Sequence, residues 1–245
     1  MGCRPYAMGE IAPVHCGLDQ TDMKPRELIG TAKVPGGVEL RLFRHGDDHV
    51  IMVDGNELMS SRVGGSEEAL ALMACERLRK GVEPHLLIGG YGMGFTLRAA
   101  LGVIGPGGRA TVAELVPEII DWARGPMAAL TAGCLDDPRV RLVMGDVAAE
   151  IGAGPKHYDA ILLDVDNGPS GLVRAANDGL YSIPGLARAR VALKPGGILA
   201  IWSAAPDEAF ARRLRHNGFK VDEVVVRARS NGKGPRHIIW FAGVG

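Results

Sequence analysis

Apolar and polar positions alternate in Val38-Glu39-Leu40-Arg41-Leu42-Phe43-Arg44, which gives an extended segment one apolar face. Comparable short runs lie at 28–34 and 49–53. Pro35-Gly36-Gly37, Gly46-Asp47-Asp48 and Asp54-Gly55-Asn56 separate or close them with turn chemistry. The pattern predicts three or four antiparallel strands over 25–64, a small N-terminal β-domain. Residues 1–24, mixed and without period, are expected to form a poorly ordered tail. Ser66 followed by Glu67 and Glu68 reads as the N-cap and acidic first turn of a helix reaching about Lys80, closed by Gly81.

From Pro84 the rhythm changes. Apolar runs at 86–88, 110–113, 140–144, 160–163 and 198–203 have the length and composition of buried strands. Helical segments at 95–101, 117–132, 146–151, 186–193 and 207–217 alternate with them, and Pro195-Gly196-Gly197 precedes the fifth strand. Two last runs, 220–227 and 236–242, read as a hairpin around a polar loop. This order predicts an α/β fold over 65–245: a mostly parallel seven-stranded sheet with its last strand reversed.

The first of these parallel strands runs into Gly89-Gly90-Tyr91-Gly92-Met93-Gly94 and then a helix. Strand, glycine turn and helix N-terminus make a nucleotide cradle, because glycine bends sharply and lets a ligand approach the main chain. No register gives the dinucleotide spacing G-x-G-x-x-G. Gly90, Gly92 and Gly94 give G-x-G-x-G, the form associated with S-adenosylmethionine enzymes. The next three strands end in Glu114, Gly145-Asp146 and Asp164. Acids at this sheet edge suit a nucleoside, and Glu114 has the place of a ribose-diol acceptor. Each acid also has a plainer role: Glu114 at a helix start, Asp146 capping the next helix before Val147, and Asp164 with Asp166 and Asn167 in turn chemistry. Tyr91 would cover the donor's methionine part or pack on the β-domain. Trp122, Trp202, Arg236 and His237 read as structural, and the 227–236 loop as a solvated tip.

Composition narrows the field. The chain has 245 residues, no formal net charge and no basic excess, which argues against nucleic acid and anionic membranes as partners. No apolar run approaches a membrane span, so a cytoplasmic protein is expected. Cys3, Cys16, Cys75 and Cys134 are scattered, without CxxC spacing, and read as free thiols. The seven histidines show no HxH or HxxxH pairing, and no metal site is expected.

The ordered set LLIGGYGMGFTLRAAL, VAELVPEIIDWAR, VMGDVA, YDAILLDVDNGP and LYSIPGLARARVALKPGGILAIWS resembles the spermidine synthase family, which has the Rossmann-like class I methyltransferase fold. The resemblance covers about 27–244. It implies that Gly89 to Gly94 and Val147 surround S-adenosylmethionine or its decarboxylated form. It further implies that Glu114 binds the ribose, Asp146 the adenine amino group, and that Asp164 is catalytic. Asp166, Asn167 and Tyr181 would line the acceptor site, and a homodimer is implied.

Departures accompany the match. The family loop GGGDGG carries an Asp where Gly92 stands here, and DSSDP becomes DVDNGP. Family acids after the β-domain are replaced by Val63-Gly64-Gly65 and Ser66-Glu67-Glu68-Ala69. Because a polyamine requires paired carboxylates, the sequence puts methyl transfer to a small, amine-type acceptor ahead of aminopropyl transfer. A catalytically silent nucleotide binder is the third reading.

Overall fold

The computed structural model describes residues 25–81, 83–165 and 178–245. Four strands open it: β1 (Glu27–Lys33), β2 (Glu39–His45), β3 (Asp48–Val53) and β4 (Asn56–Ser60), paired antiparallel in that order. Alternation in β2 acts as expected, since Leu40 and Leu42 are buried while Arg41 is exposed. Edge strand β1 packs on the helix at Pro117–Arg124 of the larger unit. A Cβ on Gly30 would come within 2.5 Å of Trp122 Nε1, so the indole packs flat against bare backbone there.

The second sheet has seven strands in the order β10-β11-β9-β8-β5-β6-β7. These are β5 (His85–Gly89), β6 (Arg109–Glu114), β7 (Val140–Met144), β8 (Tyr158–Leu163), β9 (Leu193–Ser203), β10 (Lys220–Arg227) and β11 (Arg236–Gly243). The neighbours β9-β8-β5-β6-β7 are parallel, and β11 is antiparallel to β9 and β10. The expected mostly parallel sheet with a reversed last strand is therefore present.

Period-two patterning divides the core. Leu86, Ile88, Ala160 and Leu162 face one cluster, shared with the small sheet and with helices α1 (Gly65–Glu76), α2 (Phe95–Val103) and α3 (Pro117–Arg124). Leu87, Ile161 and Leu163 face a second, against α5 (Val147–Gly152), α7 (Ile183–Ala192) and α8 (Glu208–His216). Short helices α4 (Ala128–Thr131) and α6 (Asp178–Tyr181) also lie among the described residues.

Three local expectations are corrected. Helix 117–132 breaks after Arg124, where Gly125 N bonds back to Asp121 O and Met127 N to Trp122 O. Pro195-Gly196-Gly197 lies inside β9, where the pairing with β8 shifts between Tyr158 and Ala160. Ser66 is not a cap: Gly64 holds that position, and the Ser66 hydroxyl is buried in side-chain bonds. Among the described residues, no helix is long and apolar enough to cross a membrane, and no group of three His, Cys, Asp or Glu could hold a metal ion. Cys75 and Cys134 are free thiols, and burial pushes the Cys75 thiol up to about 11.

Candidate active site

The C-terminal ends of β5, β6, β7 and β8 converge on one cavity, roofed by Val34, Leu40, Leu58 and Met59 of the small sheet region. Its floor is the glycine loop. Gly90, Gly92 and Gly94 have φ of +84°, +55° and +78°, the left-handed region that L side chains avoid. Gly90 N donates to Ala113 O, and a Cβ on Gly90 would lie 2.6 Å from Asp164 O. Gly90→Ala is expected to lower stability by roughly 1–3 kcal/mol and to weaken donor binding. Thermal unfolding and calorimetry would check both, and unchanged values would show that the loop needs no glycine there.

Glu114 is 7% exposed, and its carboxylate is locked by main-chain amides. Tyr91 N donates to Oε2 at 2.8 Å, while Leu115 N and Val116 N donate to Oε1 at 2.8 and 2.9 Å. Burial pushes this carboxyl up and the amides pull against it. A fixed carboxylate at the cavity wall accepts hydrogen bonds and donates none, which suits a vicinal diol. Asp146 also lines the cavity. Its Oδ1 accepts from Ala148 N at 2.9 Å, so it caps α5 as one reading had it. Val147 packs behind the loop, where it would meet a Cβ on Gly89 at 2.9 Å.

Asp164 belongs to this cavity and to a second, adjoining hollow lined by Glu67, Phe95, Trp202 and Met93. Leu58, Met59 and Gly92 are likewise shared between the two. Thr96 Oγ1 donates to Asp164 Oδ2 at 3.0 Å. Burial raises the Asp164 carboxyl to about 6, opposed by the Thr96 hydroxyl. Glu67 is raised further, to about 8, by burial first and then by the negative charge of Asp164. Two neighbouring carboxyls in a recessed site resist ionising together.

The sign of this coupling is testable. Glu67 ionises near 4.5 when unfolded and about 8 when folded, so its stabilising contribution is complete below pH 4.5 and lost as pH rises through 8. Glu67→Gln removes that loss. Its melting temperature is expected to exceed the parent's by a few degrees at pH 9 and to approach it at pH 4. A variant no more stable than the parent at pH 9 would refute the assignment.

Tyr91 is buried in the core cluster shared with the small sheet. Its hydroxyl reaches Cys134 Sγ at 3.3 Å, the ring lies beneath Gly94, its amide holds Glu114, and the residue lines the second hollow. Tyr181 packs edge-on to Phe210 in the second core cluster, and its hydroxyl donates to Val165 O at 3.4 Å. Trp122 is a packing residue, whereas Trp202 is buried yet lines the second hollow. Asp166 and Asn167 lie outside the described residues. Sequence reasoning missed Glu67 and Thr96. The available signal was an acid pair opening a helix directly after the β-meander, read there only as dipole complement.

No family model matches the chain. A polyamine aminopropyltransferase 2 from Pseudomonas aeruginosa is 31% identical over 183 residues, 69% of this chain and 49% of the relative. A polyamine aminopropyltransferase from Mycobacterium tuberculosis is 30% identical over 172 residues, 69% of this chain and 31% of the relative. The chain thus spans about half the length of the first and a third of the second. The crystal structure of spermidine synthase from Thermotoga maritima superposes with a TM-score of 0.71 at 21% identity, covering 89% of this chain and 73% of that one. A spermidine synthase complexed with the transition-state analogue AdoDATO gives 0.70 at 21% identity, covering 89% and 72%.

Proposed function

Because this chain belongs to the spermidine synthase-like family, we propose that it transfers an aminopropyl group from decarboxylated S-adenosylmethionine to a small amine. One observation carries the reading. Asp164 lines two adjoining hollows, one holding the glycine cradle and Glu114, the other holding Glu67. Donor and acceptor would meet at that carboxylate.

The residues fit such a donor. Gly90 and Gly92 present main chain without side chains to the cavity, and Glu114 offers a rigid carboxylate to a ribose. When bound, a sulfonium supplies an activated carbon and a neutral thioether leaving group. The protein's own part is alignment and proton handling. An alkylammonium near pKa ~10 is no nucleophile until it loses a proton. Asp164, raised to about 6, is a stronger base than an ordinary aspartate yet still ionised at neutral pH. Glu67 supplies the second carboxyl that a cationic acceptor calls for.

The sequence put methyl transfer first, because Gly92 leaves the loop without an acid. Glu67 and relatives named aminopropyltransferases weigh the other way. A donor that keeps its carboxylate would also bring negative charge toward Asp164 and Glu67. Gly92, and Asn167 where the family loop carries an acid, favour the methyl reading.

Calorimetry with the two donors separates the readings. The decarboxylated form is expected to bind at least about tenfold tighter, ~1.4 kcal/mol, and amine-dependent turnover should release methylthioadenosine. Tighter S-adenosylmethionine with release of S-adenosylhomocysteine would establish methyl transfer instead. Donor binding with neither product would mark a silent binder.

A further inference from the structure

Glu67 does more than line the acceptor hollow. Its Oε2 stands 2.5 Å from Ser66 Oγ, and Ser66 Oγ in turn stands 2.9 Å from His237 Nδ1. Ser66 is wholly buried on α1, and His237 is partly exposed on β11. We propose that Ser66 and His237 form a proton wire that joins Glu67, on the wall of the acceptor hollow, to the β10–β11 hairpin.

A serine hydroxyl has one proton to donate, so the chain has two self-consistent states. In one, protonated Glu67 donates to Ser66 Oγ and the Ser66 hydroxyl donates to Nδ1 of neutral His237. In the other, His237 Nδ1–H donates to Ser66 Oγ and Ser66 donates to the Glu67 carboxylate. Passing from the first to the second breaks the Glu67 O–H bond, forms an N–H bond on His237 and leaves an imidazolium. That imidazolium can release its Nε2 proton to solvent. No other reactant is needed.

The surroundings favour the first state at rest. Asp164 at the end of β8 and Glu68 on α1 both oppose a charge on Glu67. Thr96 Oγ1 of α2 donates to the Glu67 main-chain carbonyl at 3.4 Å, and Trp202 of β9 lines the same hollow. On the far side, the Trp202 ring lies 4.7 Å from the His237 ring, and burial lowers the imidazole. Arg236 precedes His237, and the main chain of Arg229 and Ser230 closes over Gly65. An entering ammonium would reverse the balance: its charge replaces the Glu67 proton, which leaves through Ser66. That use rests on the aminopropyl reading. The wire does not.

Two measurements test it on the intact chain. Nitrogen NMR of His237 across pH is expected to show a step near 8, where Glu67 titrates. The step should vanish in Glu67→Gln and in Ser66→Ala, both checked for native melting. A step that survives in either variant, or is absent from the parent, overturns the wire whatever reaction the protein performs. In turnover with decarboxylated donor and a diamine, Ser66→Ala should lose ten- to hundredfold in kcat at low buffer and recover as imidazole buffer is raised. A buffer-independent kcat equal to the parent's overturns the catalytic use. A parent that binds donor but never turns over, with the NMR step intact, refutes the function and keeps the wire.

Discussion

Asp164→Asn is expected to lower kcat for aminopropyl transfer by roughly 10²–10⁴-fold while leaving donor affinity within about threefold of the parent. The substitution preserves shape. Thr96 Oγ1, now 3.0 Å from Oδ2, finds an amide oxygen in its place, so the wall between the two hollows is kept. What disappears is, among the described residues, the only group shared by both hollows that can take a proton. The pH profile adds a second signature. Burial holds the Asp164 carboxyl at about 6, and only its ionised form accepts a proton, so kcat in the parent should fall as pH drops through 6. That acid limb should be missing from whatever activity the variant retains. Undiminished turnover in Asp164→Asn, or an acid limb that survives it, would remove Asp164 from the chemistry.

The larger sheet was readable because each of its strands is a short apolar run ended by glycine or an acid. Leu86, Leu87 and Ile88 divide between the two faces as period-two packing requires. The acids at 114, 146 and 164 were readable for the same reason: a parallel sheet collects its strand ends on one edge. Failures arose where tertiary contacts override local preference. Ser66 has the sequence of an N-cap, yet its hydroxyl is drawn into bonds with a helix neighbour and with a strand 171 residues away. Gly125-Pro126 interrupts a helical pattern whose apolar spacing continues past it. Tyr91 stands among glycines, where spacing alone cannot choose between donor cover and packing on the β-domain, and Gly94 gives its ring room to fold into the cluster shared with the small sheet. Glu67 could not be paired with Asp164 by spacing. Nearly a hundred residues separate it from Asp164, and only the packing of α1 on α2 and on the ends of β8 and β9 brings the two carboxyls to one hollow.

Glu114→Gln should be among the most damaging single changes, although it removes only a charge. The carboxylate accepts on both sides, from Tyr91 N through Oε2 and from Leu115 N and Val116 N through Oε1. A glutamine has one oxygen and one NH₂. Turned one way, the NH₂ faces the Tyr91 amide. Turned the other, it faces the amides of Leu115 and Val116. Either orientation sets donor against donor in a site 7% exposed to solvent. Each buried amide left unpaired costs about 1–3 kcal/mol, so a loss on the order of 3 kcal/mol is expected, roughly 10 °C in melting temperature. The glycine loop begins at the Tyr91 amide, so the same change loosens the floor of the cavity as well as its ribose acceptor. Calorimetric affinity for the donor should therefore fall by about a hundredfold or more, beyond what one lost hydrogen bond would give. Glu114→Asp is the control that separates the two effects. It keeps an acceptor-only group one methylene short, and should recover part of the stability but little of the affinity. A Glu114→Gln protein that melts and binds like the parent would mean that the amides hold the loop without the carboxylate.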